Sequence, residues 1–204
     1  MQQRSGRLPR GPAGPGWFAY LRDTDYVFIH INKTGGSSIE QALGLPIRHF
    51  TALEVCAALG EAEWQRRFSF AFVRNPWDKV VSHYHYRLKT NQTGLKDLGM
   101  GFAEWVRLSY GEQDPAFFDK PRMFMPQVEW LCDEEGYQLV EFVGRFERLA
   151  EDFAMVCARL GRGAALPHVK GSGREHYRGY YDPETRDIVA EWFADDIAAF
   201  DYEY

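Results

Sequence analysis

Lys33 sits in NKTGGSS, residues 32–38, directly behind the apolar run YVFIHI at residues 26–31. Gly35 and Gly36 allow a tight turn and a close approach of backbone to a ligand, and Ser37 or Ser38 is placed to cap the helix that follows. The unpaired N–H groups of a helix start carry the positive end of the macrodipole, and Lys33 adds a full charge beside them, so Lys33, Thr34, Gly35, Gly36, Ser37 and Ser38 read as a phosphate cradle. A second strand-to-helix junction lies in FSFAFVRNPWDKVVSHYHY, residues 68–86. Arg74 ends the apolar run, Pro76 suits the first turn of a helix, and Ser82 follows two turns on. Arginine's planar fork matches phosphate oxygens, and open α/β sheets bind ligands where their strands end. Arg145, in FVGRF, closes a third apolar run at the same kind of position. Two anion sites in one fold suggest a nucleotide phosphorylated twice.

The elements that must position these residues follow from periodicity. A strand at 26–31 feeds a helix at 37–43, and a helix over 52–65 precedes the second strand and a long helix over 77–89. The polar segment TNQTGLKDLGMG breaks the pattern, FAEWVRLSY at 102–110 is helical, and residues 111–126 form a loop rich in phenylalanine. A strand at 138–146, a helix at 148–160, a Gly-rich basic loop at 167–181 and a helix at 183–199 complete the chain. Strands alternating with helices imply an α/β fold: a central parallel sheet flanked by helices. With 204 residues and 45% hydrophobic content the chain supports one domain, taken as residues 25–204, behind a mobile Pro/Gly/Arg-rich arm at 1–24.

Composition narrows the partners. The net charge of −5 speaks against a nucleic-acid partner. Cys56, Cys132 and Cys157 are widely spaced, without the Cys/His pattern of a metal site, and read as buried thiols in a reducing compartment. No run reaches the about 20 apolar residues of a membrane span and the start lacks a signal-like stretch, so the expectation is a cytoplasmic protein.

Taken together, NKTGGSS resembles the 5'-phosphosulfate loop of sulfotransferases, and RNPWDKVVSHY resembles their 3'-phosphate motif, RNPxxRxxSxY, with Lys79 in place of the second arginine. RHFTALEV, QVEWLCDEEG, FVGRFERLAEDF and HYRGYYDPETRDIVAEWF are similar to bacterial relatives of the carbohydrate sulfotransferases of the heparan sulfate 2-O type. The resemblance implies a three-layer P-loop-like fold. It also implies 3'-phosphoadenosine 5'-phosphosulfate (PAPS) as sulfuryl donor and an acceptor with a hydroxyl, less often an amine, in a small molecule or carbohydrate. No metal is expected, since the transferred group carries less charge than a terminal phosphate and no carboxylate cluster is present. Arg74 and Ser82 would meet the 3'-phosphate, and the late loop resembles the family's C-terminal donor-binding segment, bringing Lys170, Ser172, Arg174 and Tyr177 to the nucleotide.

An acceptor hydroxyl needs a base, and histidine is best matched to neutral pH. His49, in IRHFTA, resembles the catalytic histidine that follows the first helix in such relatives. Glu40, about one turn past the cradle, is the rival, and His30 directly precedes the cradle in a position to tune it. His83 and His85 read as packing or surface residues. A P-loop kinase would instead carry a longer GxxxxGK loop and an acidic residue ending the second strand, where this chain has Arg74. A non-catalytic nucleotide-binding module remains open.

Overall fold

A computed structural model describes residues 21, 24–163, 166 and 175–204. Three short strands, β1 (Tyr26–Ile29), β2 (Phe68–Val73) and β3 (Phe142–Arg145), form a parallel sheet in the order β1-β2-β3. Ile29 pairs with Ala71 and Val73 with Arg145, so the carboxyl ends of all three strands open on one edge. The strand alternation has a plain cause. Val27, Ile29, Ala71, Val73 and Val143 face one side, while Tyr26, Phe28, Phe70, Phe72 and Phe142 face the other.

Each face is covered by helices. The aliphatic face packs against α2 (Ala52–Leu59), α3 (Glu61–Gln65) and α7 (Val128–Leu131) through Ala52, Val55, Trp64, Trp130 and Leu131. The aromatic face packs against α1 (Gly36–Leu43) and α8 (Leu149–Arg159) through Ile39, Leu43, Leu149 and Phe153. A further cluster joins α4 (Pro76–Lys89), α5 (Phe102–Val106), α6 (Pro121–Phe124) and α9 (Pro183–Trp192) around Trp77, Trp105, Phe124 and Val189. The last helix, α10, spans Ala194–Phe200. Among the described residues no helix is long and apolar enough to cross a membrane, and no group of His, Cys, Asp and Glu is arranged to hold a metal.

Several expected elements differ in detail. The helix expected over 52–65 is two, because Gly60 takes φ 81° and turns the chain between α2 and α3. The strand expected over 138–146 pairs with β2 only from Phe142; Gln138 forms an isolated antiparallel bridge with Cys132 instead. The C-terminal helix breaks at Phe193, whose ring is drawn into the core. Beyond Val106 the helix of 102–110 widens into a π-turn over Arg107–Gly111. Of the cysteines only Cys157 is buried, while Cys56 and Cys132 are half-buried, and among the described residues none is in a disulfide. Leu21, within the expected arm, is buried on the aliphatic face, and Arg67 donates to its carbonyl at 2.6 Å; residues 1–20 lie outside the description.

The aromatic face has one deliberate gap. At Gly144 a Cβ would stand 2.5 Å from the Phe72 ring. Gly144→Ala should therefore cost about 1–3 kcal/mol through overpacking. Gly101→Ala, where a Cβ meets nothing within 4 Å, should stay within about 0.5 kcal/mol. Urea unfolding of the two variants checks this, and equal midpoints would contradict the packing.

Candidate functional site

The first loop runs from His30 to Gly35 between β1 and α1. Thr34, fully buried, donates its hydroxyl to the Ile31 carbonyl at 2.8 Å and closes the turn. Lys33 adopts φ 67° and Gly35 φ 87°, both left-handed. The expected cap by Ser37 or Ser38 is not formed: Gly35 takes the N-cap position, no side chain among the described residues caps α1, and both serines fall inside its first turn. The physical reason is the left-handed glycine, which starts the helix at Gly36, one residue earlier than expected. An uncapped helix start with the Lys33 side chain half-buried beside it keeps the character of an anion cradle. The Lys33 ammonium rests 4.4 Å from the centre of the Tyr86 ring on α4.

The second loop is tied to the first. Arg74 is 6% exposed, and its guanidinium donates from Nη1 to the Lys33 carbonyl at 3.0 Å. Asp78 receives Nε at 2.8 Å and Nη2 at 2.6 Å, and the guanidinium lies 3.7 Å from the centre of the Phe146 ring. Asn75 caps α4 by accepting from the N–H of Trp77, which follows from Asn before Pro at a helix start. Ser82 is half-buried two turns along the same helix.

Two residues that sequence reasoning passed over, Gln127 and Asp196, hold this junction from below, with Lys79 buried beside them. Gln127, fully buried, accepts the Arg74 N–H at 2.8 Å and donates back to the Arg74 carbonyl at 2.8 Å. Asp196 at the start of α10 accepts from the backbone of Gln127 and Val128 and from the Gln127 side chain. Burial raises the Asp196 carboxyl above its usual range, against those bonds and the attraction of Lys79. Lys79 is 1% exposed, with its ammonium 5.0 Å from the Phe193 ring centre, and burial lowers it to about 8. Lys79 thus faces the core and Asp196. No local pattern marks Gln127, whose partner lies 53 residues away.

The third component is His49, in the connection from α1 to α2. Its Nδ1 is 3.0 Å from the His30 carbonyl, which can only accept, so Nδ1 carries the proton and Nε2 keeps the lone pair. Burial and the neighbouring His30 hold the imidazole below its ordinary 6.5, outweighing the carbonyl bond and Glu40, so the ring is neutral at pH 7. The segment is fixed on both sides: Arg122 donates to the His49 carbonyl at 2.9 Å and grips Glu54 with two bonds of 2.7 Å, while Thr51 and Glu54 form a capping box on α2. The His30 ring lies 4.3 Å from that of His49, centre to centre, and a Cβ at Gly36 would fall inside the His30 imidazole. His49 is therefore one ring away from the cradle. Glu40 is 3% exposed and bonds His30 Nδ1 at 2.8 Å and the Arg48 N–H at 3.1 Å.

The remaining expected residues lie farther along the sheet edge or outside the description. Arg145 turns toward the C-terminus, donating to the Phe200 carbonyl and lying 4.9 Å from the Tyr202 ring centre. It borders an open recess of about 550 Å³ with Asn75, Glu147, Arg148, Tyr202 and Glu203. Tyr177 opens a short 3-10 turn whose Tyr180 hydroxyl meets His85 at 2.9 Å and whose follower, Tyr181, donates to the Trp77 carbonyl at 2.8 Å, docking the segment on α4. Lys170, Ser172 and Arg174 lie outside the described residues. His83 is a core residue against Trp105 and Phe124, and burial holds its ring well below the ordinary value.

Comparison with known proteins adds three findings. The family model described as the sulfotransferase family matches residues 18–203. An uncharacterised protein of Archaeoglobus fulgidus is 30% identical over 113 residues, which cover 53% of this chain and 81% of that protein. No solved structure matches the chain significantly.

The network beneath Arg74 is testable by stability. Gln127→Ala removes both hydrogen bonds to the Arg74 backbone and should cost about 2–3 kcal/mol. Urea unfolding checks this, and an unchanged midpoint would contradict the network.

Proposed function

The chain belongs to the sulfotransferase family, and from that premise we propose that it transfers a sulfuryl group from PAPS to a hydroxyl of a small-molecule or carbohydrate acceptor. The observation that carries this reading is the position of a neutral imidazole, protonated on Nδ1, one ring away from an uncapped helix start that bears Lys33. On this reading the domain is P-loop-like in three layers, supported by a parallel sheet with helices packed on both faces. The kinship with heparan sulfate 2-O-type enzymes rests on the sequence segments that resemble them.

The donor supplies an activated sulfuryl group whose leaving oxygen belongs to the 5'-phosphate. The chain's residues do the remainder. Lys33 and the N–H groups of the Thr34–Ser38 turn hold the 5'-phosphate and stabilise the charge left on its bridging oxygen when the S–O bond breaks. Arg74 and Ser82 hold the 3'-phosphate and set the register of the nucleotide along α4. His49 Nε2 takes the acceptor hydroxyl proton as the new O–S bond forms. Tyr177, with Arg145 and the Lys170, Ser172 and Arg174 loop, completes the nucleotide site. No metal is assigned a role.

Two measurements test this. Adenosine 3',5'-bisphosphate should bind more tightly than adenosine 5'-monophosphate, and Arg74→Ala should remove most of the difference, a charge-assisted contact being worth about 1.5–3 kcal/mol. His49→Ala should lower turnover by about 10²–10⁴-fold with bisphosphate affinity nearly unchanged. The parent rate should rise with pH through a midpoint below 6.5 and then level off, because only the neutral ring accepts a proton. Equal affinities for the two nucleotides, or near-full turnover in His49→Ala with Glu40→Gln inactive, would overturn the assignment.

A further inference from the structure

Glu40 and His30 form a buried pair that the proposed reaction does not use directly. Glu40 lies about one turn into α1 and is 3% exposed, and His30 is 4% exposed. The Oε1 of Glu40 meets His30 Nδ1 at 2.8 Å and accepts the Arg48 N–H at 3.1 Å, one residue before His49. Its Oε2 is buried with no hydrogen-bond partner among the described residues. Such an arrangement is costly, since a buried carboxylate needs its lone pairs satisfied. A general base must also reach the proton it removes, and a carboxylate shut away at this depth behind an imidazole has no open edge toward an acceptor.

The pair's geometry points at other groups. The His30 ring stacks on Phe28 at 5.7 Å and faces the His49 ring at 4.3 Å, and its other flank lies where a Gly36 side chain would stand. Its carbonyl receives the His49 Nδ1–H. One residue therefore touches the base through ring and backbone and also forms the floor of the first loop, and Glu40 is the only group bonded to its side chain among the described residues.

We propose that Glu40 and His30 are positioning residues: Glu40 fixes the His30 ring, and His30 in turn sets the tautomer and orientation of His49 and supports the loop at Gly36. The inference rests on reading His49 as the base. It replaces the view of Glu40 as a proton acceptor with one in which its carboxylate acts through His30. It also accounts for the glycine at position 36, since no side chain fits there once the ring is in place. The groups that face the His49 ring are His30 from the end of β1, Glu40 from α1, Arg122 from α6 and the edge of Trp130 from α7. Their charges act in opposite senses: His30 and Arg122 favour the neutral ring, and Glu40 opposes them.

Nitrogen-15 spectra of the histidine rings, recorded on the full chain against pH, test this without an acceptor, and calorimetry with adenosine 3',5'-bisphosphate gives a second readout. In the parent protein His49 should be neutral at pH 7 with the proton on Nδ1. Glu40→Gln keeps an oxygen for both donors and should preserve that tautomer and the bisphosphate affinity. Glu40→Ala releases His30 and should give a mixture of His49 tautomers with affinity down by about tenfold. His30→Asn, a second variant that keeps a donor toward Glu40 but removes the ring, should move the His49 midpoint upward, because burial and the neighbouring charge are both relieved. A His49 tautomer that survives Glu40→Ala, or a midpoint unmoved in His30→Asn, would overturn the positioning role. Should the spectra follow Glu40 while His49→Ala retains full turnover, the positioning stands and the choice of base falls, so the two failures are distinguishable.

Discussion

The two loops on which the site is built are joined by a hydrogen bond from Arg74 Nη1 to the Lys33 carbonyl, at 3.0 Å. The carbonyl is held in place by the left-handed conformation of Lys33, which a non-glycine residue adopts at a cost of about 1–3 kcal/mol. A buried charge-assisted bond contributes about 1.5–3 kcal/mol, enough to offset it. The strain and the bond thus depend on each other. The guanidinium is in turn held by Asp78 and the Phe146 ring, and its backbone by Gln127, so the distance between the loops is fixed from both ends of Arg74.

The sheet supplies the frame for this clasp. Its register brings the carboxyl ends of β1 and β2 side by side, and the aromatic and aliphatic faces lock α1 and α2 on opposite sides. His49 lies on the connection between those helices and so inherits a position set by both faces. The polar network under Arg74 is costly by comparison, since it keeps Lys79 and Asp196 inside the core. Lys79 is buried there and feels the attraction of the Asp196 carboxylate, against the burial that lowers it.

Much of the site was legible in the sequence because its signals are local. A Gly-Gly turn after a β-branched run and an Asn-Pro helix start after an arginine identify two strand-to-helix junctions within a few residues each, and both are present. The parallel α/β sheet followed from the alternation of elements. Long-range polar contacts were not legible: Gln127 reaches Arg74, and Asp196 reaches Gln127, only through the fold, and nothing in MPQVEWL marks a buried amide. His30 was visible as a neighbour of the cradle, but its contact with His49 depends on how the chain returns 19 residues later. Boundaries failed where a single residue overrides periodicity, as Gly60 does between α2 and α3 and as Gly35 does at the start of α1.

The most direct test of the account is a structure of the full chain bound to adenosine 3',5'-bisphosphate. The 5'-phosphate should lie on the N–H groups of the Thr34–Ser38 turn with Lys33 beside it. The 3'-phosphate should lie within hydrogen-bond distance of Arg74 and Ser82, with the clasp from Arg74 to the Lys33 carbonyl intact. A nucleotide bound elsewhere, or one whose 3'-phosphate turns away from Arg74, would contradict it.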